Sequence, residues 1–399
     1  MKKPPVVAVI LAVSLLTPRP AGAYPIPPVT LWHLIEQADI VVLARVVRID
    51  EPEEQPTENE REQAVGDGDV AVLRVLETWK GEEPGEIRVN FSRGVICPAP
   101  PRYEVGEIVL AFLERGETHT RRWAEANAQR EEERLRMTPE EKAAEEAAWR
   151  ETGREPPTVE EEAQWKAEGD DLFRRFSAWA MGRWLTIAES YGTLYPAEED
   201  QPVFRDLVRQ AVRLQAAGKV EPADRREWLI SAAERRATRW QGLYELTPAA
   251  DQLHYFYDGK REATPLTGSE LDRLARGFVR EPSVDSTLTM LIPLLAPLPD
   301  AAVDRAAVAA IEAALENRRQ AWWLPGAIEA AIARFGDPEP KRRLGRHTDC
   351  DGRPICESVN SAALPGIWET ARRELGIPEV APAEVPERRV FGVGGETPD

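Results

Sequence analysis

The chain has 399 residues, of which 42% are hydrophobic and 30% charged, and its formal net charge is −18. That length suits two or three domains with real cores. So anionic a surface repels nucleic-acid phosphates and anionic lipid headgroups, which excludes both as expected partners, and no stretch is long and apolar enough to span a bilayer.

Residues 1–23 read as an export leader. Lys2 and Lys3 precede an uncharged apolar run from Val6 to Leu16, and Ala21-Gly22-Ala23 supplies the small residues of a cleavage site. The run falls short of the roughly 20 apolar residues a membrane anchor needs. Loss of Lys2, Lys3 and Arg19 with the leader takes the net charge from −18 to −21. The expected location is secreted or periplasmic, an oxidising compartment that permits a Cys350–Cys356 disulfide and leaves Cys97 over.

Residues 24–115 are β-rich. Leu31 to Ile35 open a short helical turn. Ala38–Ile49, Val70–Trp79, Glu86–Phe91 and Glu107–Leu113 are enriched in β-branched residues and bounded by acidic or Gly-containing turns, which predicts four strands. Residues 50–68, acidic with two Pro and two Gly, read as a loop. Residues 116–181 break the pattern. They are mostly Ala, Glu, Arg and Gln, with a helix start at Thr138-Pro139-Glu140-Glu141, and lack a wide apolar stripe. A solvated, partly disordered helical insertion is one reading, and an acidic partner-binding arm the other. Strand texture returns over 182–196, giving a fifth strand.

From 202 to 346 the apolar period is near 3.6. Helices are predicted around Phe204–Leu214, from Pro222 toward Trp240, and over Thr267–Val279, Val284–Leu295, Ala301–Leu315 and Trp322–Phe335. Helix pairs beginning near Thr267 and Pro299 have a spacing like that of HEAT-type helical repeats, with an irregular bundle as the alternative. A Cys-containing tail with one more helix occupies 347–375, and 376–399 reads as disordered. The expected fold is therefore α+β and multidomain: a five-stranded OB-like barrel with a charged helical insertion, then an all-α domain.

Within the barrel, Ala38–Ile49, the Trp79-Lys80-Gly81 turn, Glu86–Phe91, Cys97-Pro98 and Val105-Gly106-Glu107 leading into Leu110, Phe112 and Leu113 resemble the netrin-type barrel of exported bacterial proteins, a module shared with tissue inhibitors of metalloproteinases. The resemblance covers under a third of the chain and implies architecture more than activity. The animal inhibitors reach zinc through a Cys at the mature N-terminus. Here that position is Tyr24 and the first Cys is Cys97, so inhibition by that chemistry is not implied.

No G-x-S-x-G elbow, phosphate-cradling glycine loop or H-E-x-x-H is present, and the four His, at 33, 119, 254 and 347, are scattered. No cofactor and no metal are expected. Asp349-Cys350-Asp351-Gly352 has part of a calcium loop's spacing, but reads better as a turn closed by a disulfide. The ligand-binding candidates are Arg239 and Trp240, able to grip a carboxylate or stack on a sugar, with Glu245 and His254. Against this, Arg235 to Arg239 also suits a helix C-terminus whose cations complement the dipole, and His254 suits an aromatic core. Trp123, Trp149 and Trp165 lie in the polar insertion, either meeting a partner or stapling the insertion to the barrel. The chain reads as a non-enzymatic exported binding or scaffold protein of the bacterial envelope, with an unknown protein or glycan partner. The alternatives are a regulator or inhibitor of an extracellular hydrolase, and a hydrolase with a dispersed site.

Overall fold

A computed structural model of the chain describes residues 29–50, 69–82, 85–91, 103–151, 156–187, 192–247, 265–317, 321, 323–344 and 361–384. The leader, the acidic loop, Cys97, His254 and the segment holding Cys350 and Cys356 lie outside the described residues.

Four strands follow a seven-residue helix, α1 (Leu31–Gln37): β1 (Ile40–Asp50), β2 (Asp69–Lys80), β3 (Glu86–Phe91) and β4 (Ile108–Arg115). Two short strands, β5 (Trp184–Thr186) and β6 (Thr193–Leu194), stand where a single fifth strand was expected. The order is β1-β2-β3-β5-β4, closed by β1 pairing with β4, with β6 pairing further along the same edge of β4 as β5. β3 and β5 run parallel and every other pair is antiparallel. This is a closed five-stranded barrel of the OB-like kind.

Alternation fills its interior: Val42, Ala44 and Val46 of β1 meet Ala71, Leu73, Ile87, Val89, Val109, Ala111 and Leu113 in one core. The opposite faces of β1 and β4 are buried as well. Val41, Leu43, Leu110 and Phe112 join a second core with α1 and the helices. Burial on both faces explains why Ile40–Ala44 and Val109–Leu113 read as unbroken apolar runs.

The β4–β5 connection is a helical arm, not a loop: α2 (Gly116–Arg136), α3 (Pro139–Glu151) and α4 (Val159–Ala180). Beyond the barrel, α5 (Gln201–Ala216) packs Phe204, Leu207, Val208 and Ala211 into the second core, against α1 and β2. Three helical hairpins follow: α6 (Pro222–Glu234) with α7 (Arg239–Leu246), α8 (Gly268–Arg280) with α9 (Leu288–Leu294), and α10 (Ala301–Asn317) with α11 (Leu324–Arg334). The first helices neighbour one another in the order α6-α8-α10, and the second helices in the order α7-α9-α11. Two layers of stacked hairpins result. The sequence spacing showed the units starting near 267 and 299; a third begins at Pro222.

Two boundaries differ from expectation. The helix from Pro222 does not run to Trp240, because Arg235 is extended (φ −100°, ψ 131°) and a 3-10 turn at Arg236–Thr238 reverses the chain. The helix expected from Val284 begins at Leu288, because the Asp285 carboxylate accepts from the Thr287 N–H and hydroxyl and holds a turn ahead of it. After a four-residue turn of helix, α12 (Pro340–Arg343), the last helix, α13 (Leu364–Leu375), buries Leu364, Trp368 and Ala371 against the stack, and the Trp368 indole donates to Glu312 at 2.9 Å. The chain then turns at Gly376, with left-handed φ 66°, and lies along α10, where Ala383 donates to the Ala309 carbonyl at 2.9 Å. Among the described residues no helix is long and apolar enough to cross a membrane.

Candidate partner-binding site

The structure separates the sequence candidates. Arg239 and Glu245 share α7 but stand six residues apart, roughly 240° around the helix, and so face different neighbours. Arg239 is fully buried. Its guanidinium donates to the carbonyls of Ala233 (3.1 Å), Glu234 (3.3 Å), Gly277 (3.1 Å) and Glu281 (2.7 Å) and to the Ser283 hydroxyl (2.5 Å). Four of those partners end α6 and α8, so the cation sits where two helix C-termini, each with a partial negative charge, converge. Burial pushes its pKa down to about 10, which leaves it charged at neutral pH. It holds two hairpins together and has no reach toward a ligand. Trp240 is half-buried and stacks on Tyr244, with centroids 5.1 Å apart and planes inclined by 24°.

Glu245 belongs to the seam between barrel and stack. Its carboxylate is 3% exposed, accepts from the Thr30 hydroxyl at 2.5 Å, pairs with Arg225 and lies 3.9 Å from His33 Nδ1. The Thr30 hydroxyl is in turn 2.9 Å from His33 Nδ1. Beside it the Leu31 N–H donates to the Gln241 side chain at 2.7 Å. At its other end α1 is capped from the barrel, where Lys80 donates to the carbonyls of Ile35 (2.6 Å) and Glu36 (3.3 Å). The Trp79-Lys80-Gly81 turn thus has a job the motif alone did not reveal. Trp32 completes the seam by packing edge-on against Trp228 at 5.1 Å.

The arm has a root built as tightly as the seam. A Cβ on Gly116 would lie 1.9 Å from the Ala180 carbonyl oxygen, so only glycine permits α2 and α4 to leave the barrel side by side. Glu114, buried at the end of β4, is bonded by His119 Nδ1 at 2.8 Å and pairs with Arg122, both from the first turns of α2. The Arg115 N–H donates to Asp39 at 2.7 Å and the Gly182 N–H to Glu117 at 2.8 Å. Its own backbone N–H, and then that of Gly182, hold the Glu117 carboxyl below the usual range. Trp123 meets Phe173 and Phe176 edge-on at 5.0 and 5.6 Å, and Phe176 leans on Trp179 at 5.5 Å. Trp123 therefore ties α2 to α4 within the insertion, where the sequence reading had it stapling the insertion to the barrel.

Past this root the helices are supported locally. Thr138 with Glu141 and Thr158 with Glu161 make reciprocal N-terminal bonds, and Glu132–Arg136, Gln164–Glu168 and Asp171–Arg175 bridge successive turns. Most described side chains here are exposed, among them Leu135 at 76% and Trp165 at 51%. Trp165 is thus about half exposed and is not buried against the barrel. Among the described residues no group of three His, Cys, Asp or Glu side chains is placed to hold a metal.

No protein-family model, curated protein or solved structure matches the chain.

Proposed function

We propose that the chain is an exported binding or scaffold protein of the envelope, built on a netrin-type barrel, which holds a protein or glycan partner on its helical arm. One observation carries the reading. The β4–β5 connection, a recognition loop in many OB barrels, is here extended into three helices rooted on the barrel by the Gly116–Ala180 crossing and the buried Glu114, with an aromatic cluster joining α2 to α4 just beyond. Exposed helices gain little from propensity alone. A firm root combined with Leu135 and Trp165 in water suits a surface that is covered in use.

The test is capture from an envelope fraction with the full chain and with a Leu135→Ser, Trp165→Ser variant. Both positions are exposed, so the variant should fold normally. A specific partner retained by the full chain and reduced roughly tenfold on the variant is the expected result, the scale of one or two lost interface anchors. Equal retention by both proteins would remove the arm from the binding surface.

A further inference from the structure

The outer face of β1, β2 and β3 carries four arginines. Arg45 pairs directly across the ladder with Arg74, and Arg48 and Arg88 flank Val72. Like charges directly opposed across strands are destabilising; here Arg45 turns aside to donate to the Gly106 carbonyl at 3.0 Å, while Arg74 pairs with Glu86. Two carboxylates share the face. Asp50 pairs with Arg48 at 2.9 Å and with Arg88 at 2.7 Å, and Glu86 with Arg74 at 3.4 Å and Arg48 at 4.0 Å. Among the described residues of this face, four guanidiniums stand against two carboxylates, on a chain of net −18. The side chains of Arg48, Arg74 and Arg88 are each about half exposed.

The complementary charge lies in the arm. Between residues 138 and 171 there are twelve Asp or Glu and four Lys or Arg, a net −8. The root of the arm and the arginine face sit at opposite ends of the barrel. The arm leaves where Leu113 pairs with Ile40, whereas Arg45 pairs with Ile108 and β1 continues to Asp50. Five to ten residues of strand separate them, roughly 17 to 33 Å along the ladder. α1 and Lys80 also crowd the arm's end of the barrel.

We infer that the arginine face of one molecule receives the acidic arm of a second copy, giving head-to-tail self-association. The inference rests on the arm being a partner-binding element and names the partner. Arginine suits the role because its planar fork meets carboxylates in pairs. Screening decides whether the net repulsion of two anionic chains prevents it. At 0.15 M salt the Debye length is about 8 Å, shorter than either domain, so contact pairs act while the overall charges are largely hidden. Near 1 M it is about 3 Å and the contact pairs weaken too. A heterologous contact of this type builds rings or open chains instead of closed twofold dimers.

Sedimentation velocity of the full chain over a concentration series, at 0.15 and 1 M salt, tests the inference. Reversible association at the lower salt that weakens at the higher is expected. Arg74→Glu with Arg88→Glu in one variant, and Glu140→Lys, Glu160→Lys and Glu168→Lys in another, should each weaken association roughly tenfold or more. Mixing the two variants should restore it, which also shows that both fold. A chain monomeric at every concentration, association indifferent to either reversal, or a mixture that fails to recover would overturn it. A monomeric chain that still captures a different protein through Leu135 and Trp165 would overturn self-association and leave the arm's binding role standing. A monomer with no arm-dependent capture would remove both.

Discussion

Arg239 brings a full charge into the helical stack, and its bonding partners are four carbonyls and one hydroxyl. Arg239→Met should therefore strand several buried acceptors and cost about 3 kcal/mol or more, read as a lower urea midpoint. Arg239→Lys keeps the charge, loses the fork, and should cost less. A pH signature belongs to Glu270. Arg226 bonds its carboxylate at 2.6 and 2.9 Å, and with the Thr267 cap holds its pKa down to about 2, from 4.5. Its folded value is depressed, so its stabilisation is full above 4.5 and is lost as pH falls toward 2. Glu270→Gln should cost about 1 kcal/mol at pH 7, discounted for partial exposure, and the gap to the natural chain should close near pH 2 in unfolding titrations. The sequence marked Arg239 and Glu245 as unusual for helix filler, yet not what they touch. Thr30 and Glu245 are 215 residues apart, and a spacing rule sees only neighbours.

At the scale of elements, the barrel strands were legible because β-branched alternation and turn residues coincide. α6 and α7 were not separable, since the reversal at Arg235–Thr238 contains neither Pro nor Gly. α1 was seen as a short turn without its role as a clasp. It is capped by Gln241 and Thr30–Glu245 from the stack side and by Lys80 from the barrel side. Gln241→Leu should leave the buried Leu31 N–H without its acceptor and lower stability by about 1 to 3 kcal/mol, measurable by chemical denaturation. At the arm root, Gly116→Ala forces α2 away from Ala180. It should raise amide exchange over 116–123 and 176–183 while leaving exchange in the stack unchanged, and uniform exchange across all these segments would remove the crossing from the account.

The whole molecule couples two cores through α1 and α5 and sends one acidic arm into solvent. Composition made the anionic surface and the charged insertion plain, but that Trp123 joins α2 to α4 while Trp165 stands half exposed depended on where α2 and α4 meet. The most direct measurement of the arm's role is partner retention after its excision, with residues 117–179 replaced by a short Gly/Ser turn. Gly116 and Ala180 already touch, so the turn has little distance to span. With Glu114→Gln added, because its partners His119 and Arg122 leave with the arm, the predicted result is a protein that melts cooperatively within a few degrees of the full chain, since neither core is cut, and retains none of the partner that the full chain holds. Undiminished retention by the excised, folded protein would contradict it.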